Sequence, residues 1–171
     1  GVEWHAAPAT GSPIINGACM AGGMEVLLGT DIRLAVPGAR FALPEAARGV
    51  IPFAGALVRL PRQIPHALAM EMLLTGAAID AESALRAGLI SRIVEPAALL
   101  PAALEIAHRI AANAPVAVQE IKRTVTAASG LTLDRGYALE DTAKSIVMAT
   151  EDAREGPRAF MQKRAPVYKG V

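Results

Sequence analysis

The spacing of apolar residues changes about a third of the way along the chain. Up to about residue 53 they fall in short runs broken by glycine, proline and asparagine. Pro13-Ile14-Ile15 stops at Asn16-Gly17, the pattern of a buried strand followed by a turn. Gly22-Gly23 then opens a short helix over 24–29. The alternation in 32–36, "IRLAV", predicts a strand. Pro37-Gly38 turns the chain, and 40–44, "RFALP", predicts a second extended piece in which Pro44 disfavours helix before it.

Beyond that point the spacing becomes helical. A helix over 54–60 is expected to end at Pro61. The next begins at Pro65 and has Gly76 just past its end. In "DAESALRAG", Asp80 is placed as N-cap, Glu82 in the first turn and Gly88 as C-cap. A small strand is expected over 89–94, then longer amphipathic helices over 97–113, 115–129 and 131–150. A last helix over 151–163 is expected to be interrupted near Gly156-Pro157. Residues 1–12 show no clear period. The pattern is an α/β front joined to a helical back, without internal repeats.

Composition narrows the class. With 53% hydrophobic residues the chain is too apolar for a disordered one and has apolar surface to spare for subunit contacts. Seventeen basic residues stand against 16 acidic ones, and a net charge of +1 gives no field that points to nucleic acid or a membrane surface. The longest charge-free run, 6–24, is broken by Gly and Pro and has no basic leader, so it suits neither a spanning helix nor a signal peptide. The single cysteine, Cys19, excludes an internal disulfide and fits a reducing cytoplasm.

Within this frame two acids draw attention. Glu25 lies in the first turn of a helix opened by two glycines, where unpaired N–H groups and a positive dipole end favour negative charge. By itself that is ordinary helix-terminus chemistry. The same place can also hold a catalytic carboxylate and aim an N–H at an anionic oxygen. Glu45 lies in a loop bounded by Pro44 and Gly49, and alone it reads as a solvated loop acid. As a pair, two carboxylates can divide the work of taking and giving a proton. The three histidines, His5, His66 and His108, are too far apart in sequence for ligand spacing, so no metal site is expected. Cys19 reads as a small buried thiol. Arg59, Arg62 and the basic C-terminal stretch read as solvated surface that can also meet phosphates. No GxGxxG, GxxxxGK[ST] or GxSxG motif is present.

These motifs together resemble the crotonase, or enoyl-CoA hydratase/isomerase, superfamily. The likeness rests on "NGACMAGGME" against the pattern N-G-x-x-x-G-G-G-x-E, on the D-I-R stretch, and on "FALPEAARGVIP" against F-x-x-P-E-x-x-x-G-x-x-P. "MEMLLTGAAIDAESALRAGLISRIVEP" and the tail "EDAREGPRAFMQKRAPVYKG" continue it. The resemblance implies a crotonase-like α/β spiral of ββα turns over 13–95, followed by a helical lobe over 96–171, as one continuous domain with an unmatched start over 1–12.

The resemblance also implies a reaction. The substrate is an acyl-CoA thioester, and water adds to a trans-2-enoyl-CoA to give a 3-hydroxyacyl-CoA. Glu25 and Glu45 fall on the two hydratase glutamates, with the hydratase spacing of 45 − 25 = 20. Gly22 falls on an oxyanion donor and Phe53 on the backbone position beside the water. Phe160 and Lys163 fall on the aromatic and lysine that contact the CoA nucleotide. No cofactor is implied, because coenzyme A is part of the substrate. The implied assembly is a homo-oligomer, a trimer or dimer of trimers, in the cytoplasm. Departures are Ala21 for the first of three glycines and Phe53 for a frequent glycine. A leading segment with the other oxyanion donor has no counterpart here, which predicts a C-terminal fragment or a truncated gene product. The alternatives are a double-bond isomerase, a crotonobetainyl-CoA hydratase-type dehydratase, or an inactive assembly module.

Overall fold

The computed structural model describes residues 13–171. They form two compact units, one extending to Glu105 and the other covering Ile106–Val171.

The first unit is built from very short strands in two three-stranded sheets. β1 (Ile14–Ile15), β3 (Leu34–Ala35) and β6 (Arg92–Ile93) form one sheet, wholly parallel. β2 (Ala18–Met20), β4 (Arg40–Ala42) and β5 (Ile79–Asp80) form the other, in which β2 and β4 are parallel and β5 is antiparallel. β1 to β4 alternate between the two sheets, β5 then adds to the sheet of β4, and β6 returns to the sheet of β3. α1 (Gly22–Leu27) follows β2. A 3₁₀ turn (Ala46–Arg48), α2 (Ala56–Gln63) and α3 (His66–Thr75) follow β4, and α4 (Ala81–Arg86) joins β5 to β6.

The core explains why such short strands hold. Met24, Leu27, Leu28, Leu34, Phe41, Leu43, Leu60, Met72 and Leu89 are fully buried. Each such side chain contributes roughly 1.5–3 kcal/mol relative to exposure. Both residues of β3 are buried, as expected of a strand covered on two faces. Buried Arg33 ties three elements together. Its guanidinium donates to Thr30 Oγ1 (3.2 Å), the Thr30 carbonyl (2.7 Å), the Leu89 carbonyl (3.0 Å) and Gln63 Oε1 (2.8 Å). Gln63 in turn donates to the Leu28 carbonyl at 3.0 Å. These bonds satisfy carbonyls at the ends of α1 and α4 that the helices cannot satisfy themselves. Burial lowers the Arg33 pKa, against the nearby Asp31 and Cys19.

Several expectations need correction. α2 passes through Pro61 and ends at Gln63; the carbonyl that Pro61 leaves unbonded is that of exposed Leu57. α8 (Asp152–Met161) is continuous through Gly156 and Pro157. The strand expected over 32–36 shrinks to β3, and β2 and β5 arise where none was expected. The caps of α3 and α4 are as anticipated: Gly76 is left-handed after α3, and Asp80 accepts the Ser83 N–H at 2.8 Å.

α5 (Pro96–Ala111) runs from the first unit into the second. There α6 (Pro115–Ala128) packs on α7 (Leu133–Met148), and α7 meets α8. The tail is strapped to α8 by two carboxylates. Buried Asp152 accepts the N–H groups of Lys169 and Gly170, both at 2.8 Å. Glu155 takes the Arg164 guanidinium at 2.5 and 2.9 Å and the Val167 N–H at 3.0 Å.

Candidate active site

The sheet register starts the segments that carry the two acids from the same end of one sheet. β2 and β4 run parallel with Met20 opposite Ala42, and the Ala21 N–H extends the ladder to the Ala42 carbonyl at 3.0 Å. Both strands therefore end at the same level. Glu25 follows from the end of β2 and Glu45 from the end of β4.

Between β2 and α1 the chain must turn sharply. Ala21 does so at φ 49 and ψ −121, a conformation that favours glycine. The departure from the three-glycine pattern thus falls on the residue that makes the turn. Gly22 and Gly23 at the start of α1 are exposed, so the backbone there is open to a ligand. A Cβ on Gly22 would lie 3.8 Å from Glu25 Oε2, so this face of Gly22 looks toward the carboxylate. The other carboxylate oxygen, Glu25 Oε1, accepts the Phe53 N–H at 2.9 Å. The expected backbone group beside the water is thus one that also fixes Glu25. The Phe53 ring itself is exposed.

Glu45 is held differently. Its carbonyl accepts the Arg48 N–H at 2.9 Å and the Val50 N–H at 3.2 Å, which closes the 3₁₀ turn. Gly76, at φ +70, brings the end of α3 so close that a Cβ would lie 3.1 Å from Pro44 Cα. Only glycine fits both constraints, and the Glu45 segment is pinned from behind. The Glu45 side chain is 9% exposed, and its Oε2 is buried without a hydrogen-bond partner among the described residues. A buried carboxylate oxygen without a partner is costly, and such groups concentrate where a ligand completes them.

The remaining candidates are a thiol, the histidines and two residues of the helical unit. Cys19 is buried, and burial pushes its thiol up to about 11 despite the opposing pull of Arg33, so it stays protonated at neutral pH. His66 starts α3 and His108 lies in α5, while His5 lies outside the described residues. Phe160 and Lys163 belong to the helical unit. Phe160, at the end of α8, is 82% exposed. Lys163 adopts a left-handed φ of 52, and the Arg164 N–H reaches back to the Ala159 carbonyl at 3.1 Å in a Schellman-type end. Arg59, which in the sequence reads as solvated surface that can also meet phosphates, packs on Gly29 and Gly55, a contact with no local signal.

Very short strands shared between two small sheets, followed by helices, are the architecture that the comparisons with known proteins identify. The chain belongs to the enoyl-CoA hydratase/isomerase family, whose model matches residues 12–171. It is 41% identical over 160 residues to a carnitinyl-CoA dehydratase of Citrobacter koseri, covering 91% of this chain and 61% of the relative. It is 42% identical over 155 residues to enoyl-CoA hydratase EchA19 of Mycobacterium tuberculosis, covering 91% of this chain and 58% of the relative. A solved enoyl-CoA hydratase structure from M. tuberculosis superposes with a TM-score of 0.87 at 39% identity, covering 91% of this chain and 62% of that one. The fold is thus crotonase-like. The chain spans about 61% of the length of the first of these curated relatives.

Proposed function

We propose that a protein containing this chain reversibly adds water to a trans-2-enoyl-CoA, giving a 3-hydroxyacyl-CoA. The observation that carries this reading is the pair of carboxylates on the segments that leave the same end of β2 and β4. Glu25 is oriented by the Phe53 N–H, and Glu45 has a buried, unpartnered oxygen. One oriented base and one acid are what water addition across a conjugated double bond requires.

In this reading the thioester oxygen gains negative charge as water attacks the β-carbon, and the Gly22 N–H is one of the donors that receive it. Glu25 holds the water and takes its proton. Glu45 delivers a proton to the α-carbon. Coenzyme A enters as part of the substrate, so no further cofactor is used. Phe160 and Lys163 contact its nucleotide end, with the ammonium acting as a point charge on phosphate. The protein works as a homo-oligomer in the cytoplasm. Among the described residues no helix is long and apolar enough to cross a membrane.

The test follows the loss of enoyl-thioester absorbance on crotonyl-CoA. Glu25→Gln and Glu45→Gln are each expected to lower the rate by about 10²- to 10⁴-fold. If both variants kept the full rate, the two-carboxylate reading would be wrong.

A second substrate reading has its own support, since the Citrobacter koseri relative carries the name carnitinyl-CoA dehydratase. The same two acids then run the elimination of water from a β-hydroxy thioester bearing a quaternary ammonium. A preference of at least tenfold in kcat/KM for the cationic thioester over crotonyl-CoA would establish it.

A further inference from the structure

Arg59 occupies an unusual place for a surface arginine. It is exposed, and its guanidinium has no hydrogen bond or ion pair among the described residues. It nevertheless lies against two glycines from different parts of the unit. A Cβ on Gly55 would lie 3.4 Å from its Cζ, Nε and Nη1 alike, so the guanidinium presents its plane to Gly55. A Cβ on Gly29 would lie 3.2 Å from Nη1. At Gly29 a Cβ would be tighter against the guanidinium than ordinary contact, and at Gly55 it would just touch it.

The two glycines flank the Glu25 contact. Gly29 is four residues beyond Glu25, in the turn just past the C-cap of α1, where its N–H donates to the Val26 carbonyl at 3.0 Å. Gly55 is two residues beyond Phe53, whose N–H binds Glu25. The segment between is strained: Ala54 has φ 47 and Gly55 φ 93. Backbone bonds return from α2 to this turn, with the Arg59 N–H donating to the Gly55 carbonyl at 2.8 Å and the Ala56 N–H to the Phe53 carbonyl at 3.0 Å. Two contacts thus join α1 to the 53–55 turn, one from Glu25 to Phe53 and one from Gly29 through Arg59 to Gly55.

We propose that Arg59 is a positioning residue: its guanidinium, packed between Gly29 and Gly55, holds the 53–55 turn against α1 so that the Phe53 N–H meets the Glu25 carboxylate. Its effect on rate rests on the reading of Glu25 as the water-orienting base. Its structural effect does not. A packed cation serves here where an aliphatic chain would not, because a planar group fits flat on glycine backbone and stays soluble at its outer edge.

The test uses two variants that disturb the packing in different ways. Arg59→Met removes the planar group. Gly29→Ala keeps the arginine and its charge but places a methyl 3.2 Å from Nη1, so that the guanidinium must shift, at a position without left-handed strain. Exchange of the Phe53 amide with water is read by NMR in the parent chain and in both variants, with Val36 in the sheet as reference. Both variants are expected to exchange Phe53 at least fivefold faster, with Val36 within twofold of the parent. Phe53 unchanged within twofold in both variants overturns the proposal, and so does acceleration of Val36 to the same extent as Phe53. In protein that hydrates crotonyl-CoA, both variants are also expected to lower kcat about tenfold with KM within twofold. Whole protein containing this chain that shows the exchange change but hydrates no crotonyl-CoA even without substitution would sink the hydratase reading and leave the Arg59 contact standing.

Discussion

The two units differ in how far each closes an apolar core with large side chains of its own. In the first, Met24, Phe41, Leu43, Leu60, Met72 and Leu89 close a core around strands too short to be stable alone. In the second, Ile121, Val125, Leu133, Tyr137, Ile146 and Met148 of α6 and α7 are exposed, and Ala143 is the buried apolar residue of α7. The second unit's buried polar anchor is Asp152, which holds backbone N–H groups of the tail. Both units expose large apolar residues, the first at Val50, Ile51, Phe53 and Val58 among others, but only the first also has a core of fully buried large side chains, and the apolar positions of α6 and α7 are of the kind found at protein contacts. The difference separates what the chain specifies alone from what an assembly is proposed to complete.

Four substitutions or conditions probe that contrast. Arg33→Met is expected to be the most damaging, because it leaves the Thr30 and Leu89 carbonyls and Gln63 Oε1 without their buried donor. A loss of roughly 3 kcal/mol in urea unfolding is expected. Hydrogen exchange should rise in the first unit well before the second; equal loosening of both would break the contrast. Asp152→Asn keeps one acceptor for two tail N–H groups and should cost about 2 kcal/mol. Its signature is faster exchange at Lys169 and Gly170 with the strands unaffected.

Ala21→Gly works the other way. Relief of the strained turn should stabilise the first unit by about 1 kcal/mol, read as a higher urea midpoint. No gain would mean that the turn holds Ala21 without strain. The mildest probe is pH. The Arg164 guanidinium, and then the Val167 N–H, hold the Glu155 carboxyl at about 2, below its ordinary 4.5. Because the folded value is depressed, the contribution of this strap is complete above pH 4.5 and fades as pH falls toward 2. Exchange of the Val167 amide, compared with Val36, should begin to rise within that window and stay flat above it.

Much of this arrangement was legible before the structure. Asp80, Gly76 and Pro65 mark helix ends through local chemistry that needs no neighbour. The paired acids were visible as a spacing, and the family likeness supplied their meaning. What stayed hidden depends on distant partners. β2 is Ala-Cys-Met, with neither alternation nor β-branched residues, and exists because β4 lies beside it. β5 forms for the same reason. Pro61 reads as a stop, yet α2 runs on to Gln63, whose side chain meets both Arg33 and the Leu28 carbonyl. The contacts of Arg59 with Gly29 and Gly55 join residues whose spacing follows no local rule. The bond from Phe53 to Glu25 likewise crosses 28 residues, and nothing near either one announces it.

The most direct measurement of the central claim follows oxygen itself. Crotonyl-CoA is incubated in ¹⁸O-labelled water with protein that contains this chain, and the product is read by mass spectrometry. Water addition by Glu25 and Glu45 predicts one ¹⁸O on the β-carbon of a 3-hydroxyacyl product, at a rate that falls at least 100-fold in Glu25→Gln and in Glu45→Gln. Conversion of a 3-enoyl thioester to the 2-enoyl isomer with no ¹⁸O taken up, and no labelled product from crotonyl-CoA, would contradict it.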